Sequence, residues 1–182
     1  DISLNLGKDR NIFSITNRQC RKLRIQNPVI SNTDLEKIRN IDIESFKTET
    51  IEILYPKAKG LNGLEDALDG IIVQIEKALE RKTNIIILSD RGVNQEFAPI
   101  PALLACSFVN HQLNRLRKRS YFDIIIESAE PREPHHFATL FGYGASGINP
   151  YMVNEIIRTQ VKDGFITGID EQEAVDNFNK AI

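Results

Sequence analysis

The chain has 182 residues, 41% of them hydrophobic, and a formal net charge of −2. That length fits one domain or a piece of one, able to bury roughly 70% of the surface its unfolded chain would expose. The near-neutral charge gives no global field for nucleic acid or an anionic membrane. No apolar run reaches the ~20 residues of a membrane span, and the amino-terminal stretch lacks the basic-then-apolar plan of a signal peptide.

Two cysteines, Cys20 and Cys106, lie far apart and form no CxxC pair. A reduced, cytoplasmic compartment is the expectation, and neither a zinc nor an iron–sulfur site follows from them. The chain opens on Asp1-Ile2-Ser3 without methionine, which fits processing or excision from something longer.

Residues 1–47 read as a polar, irregular lead-in. Asn27-Pro28 holds an extended backbone, because the residue before proline avoids the α region. Ser31-Asn32-Thr33-Asp34 offers N-caps for one short helix over about 33–40, with Leu35, Ile38 and Ile41 on a helical spacing. Residues 48–182 form an α/β core. A strand runs from Thr48 to Leu54 and stops before Pro56. Leu64, Leu68, Ile71, Ile72, Ile75 and Leu79 then predict a helix over 63–81.

Ile85-Ile86-Ile87-Leu88 is an unbroken apolar run, the mark of a strand buried on both faces of a parallel sheet. It ends in Ser89-Asp90-Arg91-Gly92, and Gly92 is expected at a positive φ. A loop with Pro99 and Pro101 follows. The next helix is predicted with Leu103, Leu104, Ser107, Phe108, His111, Leu113 and Leu116 along its periodic stripe. Its basic end, Arg115 to Arg119, complements the helix dipole.

Tyr121 to Ile126 is the next buried strand. A polar loop, a short helix from Pro134 and a strand end at Asn149-Pro150 come after it. Val153, Ile156, Ile157 and Val161 then mark a helix, and Asp170 caps a last one carrying Ala174, Val175 and Phe178. The order βαβαβαβα predicts a parallel sheet with crossover helices. Four such units are half of an eight-fold barrel, whose complete form takes about 250 residues, so the fold expected is an incomplete, degenerate TIM-like barrel or an open sheet.

Ligands in such folds sit at the carboxyl ends of the strands. Asp90 and Arg91 are there and can bind a carboxylate or phosphate, or simply close a turn. His135 and His136 are adjacent, so on a helix they point about 100° apart and do not share a metal. Glu127, Glu130 and Glu133 with Arg132 can form an acid–base set or an ion-pair network. Gly142 to Gly147 is glycine-rich but follows a helix instead of opening one, so it reads as a tight helix-to-strand link, with glycine in the left-handed position. No Gly-x-Ser-x-Gly occurs, and neither cysteine has a histidine near it in sequence. No catalytic, cofactor or metal residue is therefore assigned. Asp90, Arg91, Arg132, Glu133, His135 and His136 are taken as a structural corner or as contacts to another domain.

Several segments together resemble one family. They are Ile87-Leu88-Ser89-Asp90-Arg91-Gly92, Pro99-Ile100-Pro101-Ala102-Leu103-Leu104-Ala105, Glu133-Pro134-His135-His136-Phe137-Ala138, Leu140 to Ala145 and Asn149-Pro150-Tyr151, preceded by Cys20-Arg21-Lys22-Leu23 and Asn27-Pro28-Val29-Ile30. In this order they are similar to the central domain of the glutamate synthase large chain, in its C-terminal part. Val109 to Leu113 departs from the pattern, since members often carry more histidines there. The resemblance implies a degenerate barrel without a cofactor of its own, joining a glutaminase domain to an FMN-binding domain that also carries an iron–sulfur cluster. The whole enzyme makes glutamate from glutamine and 2-oxoglutarate, and this piece alone is expected to be inactive. A rival from another class is a free-standing phosphate- or flavin-binding half-barrel enzyme using Asp90, Arg91, Glu133 and His136. A third is a pure interaction module.

Overall fold

The structure, a computed structural model, describes residues 3–7 and 21–182. Cys20 lies outside the described residues. The elements run β1 (Leu4–Leu6), β2 (Leu23–Ile25), α1 (Asn32–Arg39), β3 (Thr48–Glu52), β4 (Leu54–Pro56), α2 (Gly60–Glu80), β5 (Ile85–Ser89), β6 (Phe97–Pro99), α3 (Ala102–Arg115), β7 (Asp123–Glu127), α4 (Pro134–Gly142), β8 (Gly147–Asn149), α5 (Tyr151–Lys162) and α6 (Glu171–Ala181).

The centre is a four-stranded sheet in the order β3-β5-β7-β8, parallel throughout. Successive side chains of a strand point to opposite faces, and here both faces are apolar. Ile86, Leu88, Ile124 and Ile126 pack with Leu68, Ile71 and Ile75 of α2, Val109 and Leu113 of α3, and Phe137 of α4. Ile85, Ile87 and Ile125 point the other way, onto Leu6, Ile30, Leu35 and Ile38. The unbroken isoleucine runs follow from that two-sided burial.

Over the described residues of the lead-in, the second face corrects the reading of it as irregular. Leu4–Leu6 and Leu23–Ile25 pair antiparallel, Leu4 opposite Ile25. Val29 makes a parallel bridge to Ile148, with the Ile30 N–H donating to the Ile148 carbonyl at 2.7 Å. The lead-in thus lies beside β8. At the approach to this bridge Asn27 Oδ1 accepts from the Val29 N–H at 2.9 Å. The short helix came out as expected, capped by the Ser31 hydroxyl, which accepts from the Asp34 N–H at 3.1 Å. Asp170 caps α6 in the same way, accepting from the Glu173 N–H at 2.8 Å.

Three further expectations are corrected. The strand from Thr48 does not stop before Pro56. After Ile53 it continues as β4, which pairs antiparallel with β6 inside the predicted loop. On α3 the buried face is Ala102, Ala105, Cys106, Val109 and Leu113, while Leu103, Leu104 and Leu116 are exposed. Small residues face inward there because they let the helix sit close against the sheet. Gly92 is absent from the glycines of positive φ. Its role is a close approach, since a Cβ there would lie 2.7 Å from Leu54 Cδ1.

Candidate functional site

The carboxyl ends of β5, β7 and β8 meet the carboxyl end of α1 at one corner. Glu127 closes β7 and is 1% exposed. A carboxylate buried after three consecutive isoleucines has no solvent to face, so it needs cations. It has two. Its Oε2 accepts from Arg39 Nη2 at 2.9 Å, and its Oε1 accepts from Arg91 Nε at 2.6 Å. Burial pushes the Glu127 carboxyl up, but the Ser89 hydroxyl and the two guanidiniums outweigh it and hold it below the usual carboxylate range. Arg39 is shared with Glu36 of its own helix at 3.0 Å.

Asp90 is the second buried carboxylate, 2% exposed. Its Oδ2 accepts from the Ser128 hydroxyl at 2.6 Å and from the Ala129 N–H at 3.1 Å. Tyr151, the first residue of α5, also directs its hydroxyl at Asp90. Burial and then that hydrogen bond raise the tyrosine well above its ordinary range, so it keeps its proton. Arg91 lies with its guanidinium carbon 4.1 Å from the centre of the Tyr151 ring. Deeper along β8, Asn149 donates to the Ile30 carbonyl at 2.8 Å and to Asn32 Oδ1 at 2.9 Å, tying the lead-in to the same corner.

Asp90 and Arg91 both lie at this corner, Arg91 against Glu127 and Tyr151, Asp90 against Ser128, Ala129 and Tyr151. The other four expected residues stand apart. Glu133 is the N-cap residue of α4 without a side-chain cap bond, ahead of Pro134 at the first helical position. Arg132, Glu133 and His135 are exposed. His136 Nδ1 accepts from the Arg132 N–H at 3.3 Å. Among the described residues no hydrogen bond or ion pair joins these four to Asp90 or Arg91. The acid–base set is also dispersed: Glu130 Oε2 instead accepts from the Ala102 N–H at 2.9 Å, capping α3.

The charged groups of the corner are matched by one another or by neighbouring donors, while Asn149 Oδ1 is buried without a partner among the described residues. Glu127 is held charged by two guanidiniums and is a weak base, and Tyr151 is a weak acid. Among the described residues no group of three or more His, Cys, Asp or Glu could hold a metal ion. The glycine-rich link offers no phosphate cradle. Gly147 lies in β8, and a Cβ there would meet Ile30 Cδ1 at 2.7 Å. Sequence reasoning passed over Arg39 and undervalued Glu127. The signal for Glu127 was an acid directly after the apolar run Ile124-Ile125-Ile126, while Arg39 sits 88 positions away and nothing local marks the pair.

A cleft lined by Arg21, Glu76, Lys82, Arg117, Lys118 and Tyr121 opens at the opposite, amino ends of the strands. In sheets of this kind that end serves stability, and ligands bind at the other.

A family model described as "Glutamate synthase central domain" matches residues 1–182. The chain is similar to the glutamate synthase (NADPH) large chain of Bacillus subtilis, 34% identical over 177 residues, covering 97% of this chain and 11% of that protein. It is 33% identical to the glutamate synthase (NADH) of Schizosaccharomyces pombe, over 97% of this chain and 8% of that protein. A third relative is the ferredoxin-dependent glutamate synthase 2 of Synechocystis, 30% identical over 100% of this chain and 12% of its own length. The chain thus spans between 8% and 12% of these curated relatives.

Proposed function

The chain belongs to the glutamate synthase central-domain family, and on that premise we propose that it is a non-catalytic connector. It joins a glutaminase domain to an FMN-binding synthase domain and helps to wall the path of ammonia between them. The polypeptide makes glutamate from glutamine and 2-oxoglutarate, and FMN and the iron–sulfur cluster belong to its other domains. The four βα units act as half of a degenerate TIM-like barrel. Leu6, Ile30, Leu35 and Ile38 of the lead-in, residues 1–47, close the face that the rest of a barrel would cover, and residues 48–182 form the core. The two distant cysteines fit a cytoplasmic setting.

One observation carries this reading. The corner where such folds place their chemistry spends Glu127 on Arg39 and Arg91, and Asp90 on the Ser128 hydroxyl and the Ala129 N–H. The relatives add a second support: their names give NADH, NADPH and ferredoxin, at 33%, 34% and 30% identity. A domain shared so evenly fits a positional role better than one tied to an electron donor. Arg132, Glu133, His135 and His136, exposed or half-buried at the start of α4, are the side chains we assign to interdomain contact.

The test is to purify residues 1–182, take a visible spectrum and assay with glutamine and 2-oxoglutarate. The expected result is no flavin band and no release of ammonia. A stoichiometric flavin or measurable glutamine hydrolysis overturns the reading and favours a half-barrel enzyme.

A further inference from the structure

Two arginines meet the buried Glu127 carboxylate, and they are spent differently. Arg39 engages all three of its nitrogens: Nε on Glu36 at 3.0 Å, Nη2 on Glu127 at 2.9 Å and Nη1 on the Thr50 hydroxyl. Arg91 engages one. Its Nε donates to Glu127 Oε1 at 2.6 Å, and among the described residues nothing accepts from either Nη. Its side chain is 45% exposed, against 25% for Arg39. Arg91 is thus matched in charge but not in hydrogen bonds. Glu52, at the end of β3, approaches the same loop, 3.3 Å from where a Gly92 Cβ would stand, yet forms no ion pair with Arg91.

The open edge is held still. The bond to Glu127 fixes the guanidinium at its Nε side, and the Tyr151 ring covers one face, 4.1 Å from the guanidinium carbon. Tyr151 is itself fixed by burial and by its hydroxyl on Asp90. What remains is the end of the fork, Nη1 beside Nη2, whose spacing matches the two oxygens of a carboxylate. With the plane set beforehand, little rotamer freedom is lost when that pair forms. A phosphate dianion suits the edge less well, because the Glu127 and Asp90 carboxylates lie beside it and every nitrogen of Arg39 is engaged.

Magnitude decides where the carboxylate comes from. One half-exposed ion pair changes an equilibrium constant by a factor of about five at most. That is too little to hold a free carboxylate at millimolar levels. It is enough for a side chain that the same polypeptide delivers at high effective concentration, and the chain amounts to only 8–12% of its relatives' length. We propose that the Nη edge of Arg91 receives an Asp or Glu side chain from another domain of the full-length polypeptide. This rests on the connector reading and names the chemistry of one of its contacts.

The experiment uses the full-length polypeptide in two arms. In the first, Arg91→Lys puts an amine at the edge, a carbodiimide couples it to whatever carboxylate it touches, and mass spectrometry maps the product. The expected product is an intrachain amide to an Asp or Glu outside these 182 residues. In the second, the unsubstituted polypeptide is treated with phenylglyoxal, so that the result does not depend on how the variant folds. Arg91 should react about tenfold more slowly than in the denatured chain, and this protection should vanish when the coupled acid is replaced by its amide. Coupling only to Glu52, Glu127 or another acid of these 182 overturns the proposal, as does coupling between two polypeptides. Arg91 reacting at the denatured rate overturns it whatever the coupling shows. Protection that appears only on adding millimolar succinate assigns the edge to a free anion and overturns it too. Turnover by the isolated chain would sink the connector reading whatever Arg91 does, so the two failures are separable.

Discussion

Arg91 and Glu127 are joined at 2.6 Å across the carboxyl ends of adjacent strands, one partner 45% exposed and the other 1%. Arg39 reaches the same carboxylate from the other side at 2.9 Å. Removing a buried charge from such a set leaves its partners unmatched. Glu127→Gln should destabilise the isolated domain by about 2 kcal/mol, a value tempered by the partial exposure of both arginines. Urea unfolding followed by circular dichroism measures it. A change under about 0.5 kcal/mol, the ordinary range of a neutral surface substitution, would show that the corner is not held by this carboxylate.

The same residue predicts a pH dependence. Folding lowers the Glu127 carboxyl below its ordinary 4.5, so the folded state favours the charged form. The stabilisation is complete above pH 4.5 and is lost as pH falls through the lower folded value. The gap in Tm between the parent chain and Glu127→Gln should therefore be constant near neutrality and narrow below pH 4.5. A gap that widens on acidification contradicts the assignment.

The strands of the central sheet were legible because burial on both faces writes itself as continuous isoleucine. Ile85 to Leu88 and Ile124 to Ile126 admit no alternative surface. The ribbons were not. β1 and β2 are three residues each, with only Leu4, Leu6, Leu23 and Ile25 to mark them, and their pairing spans a long insertion. β4 and β6 contain Pro56 and Pro99, which read as breakers but are tolerated in a short ribbon. On α3 the leucines looked like a core stripe, whereas close packing selected Ala102, Ala105 and Cys106. At the corner, Asp90 and Arg91 were legible as a local motif at a strand end. Arg39 was not, since an ion pair closed by folding leaves no local spacing.

Gly142 and Gly144 looked alike in sequence and differ in structure. Gly144 has φ +107°, and a Cβ there would lie 2.6 Å from Asn110 Cγ. Asn110 cannot easily yield, because Arg119 donates to its Oδ1 at 2.9 Å and to the Gly144 carbonyl at 2.7 Å. Gly142, the last residue of α4, has nothing within 4 Å of that position. Gly144→Ala should cost about 1–3 kcal/mol, and Gly142→Ala should be neutral or stabilise by up to about 1 kcal/mol. Equal effects in thermal unfolding would refute the distinction.

Lys82 and Arg117 follow α2 and α3 with φ of 64° and 56°, the left-handed conformation that side chains avoid. Both close a helix in the same manner: the Thr83 N–H donates to the Ala78 carbonyl at 3.0 Å, and the Lys118 N–H to the Leu113 carbonyl at 2.8 Å. Each carries a cation to the negative helix end, worth about 0.3–1 kcal/mol. The left-handed cost of about 1–2 kcal/mol exceeds this. Lys82→Gly and Arg117→Gly should therefore each raise stability, by several tenths to about 1 kcal/mol, additively, since they close different helices. A loss in either, measured by denaturant midpoint, would mean that the side chain makes a contact stronger than the dipole.

Cys106 lies in the buried face of α3, fully enclosed, with its thiol 3.6 Å from the Tyr143 carbonyl. Burial pushes its pKa up to about 11, and Arg119 opposes the shift only in part. At pH 8 about one thiol in a thousand is then ionised, and the thiolate is the reactive form. In a Cys20→Ser variant, which isolates Cys106, alkylation by iodoacetamide should be negligible in the folded chain. It should become complete within minutes in strong denaturant, where the thiol returns to its ordinary value and meets solvent. The protection should fall in step with the population of unfolded chain across the urea transition, because access requires opening of the α3 face. Rapid labelling of the folded chain would show that α3 is not packed as described, and with it the small-residue face on which the correction to its helical stripe depends.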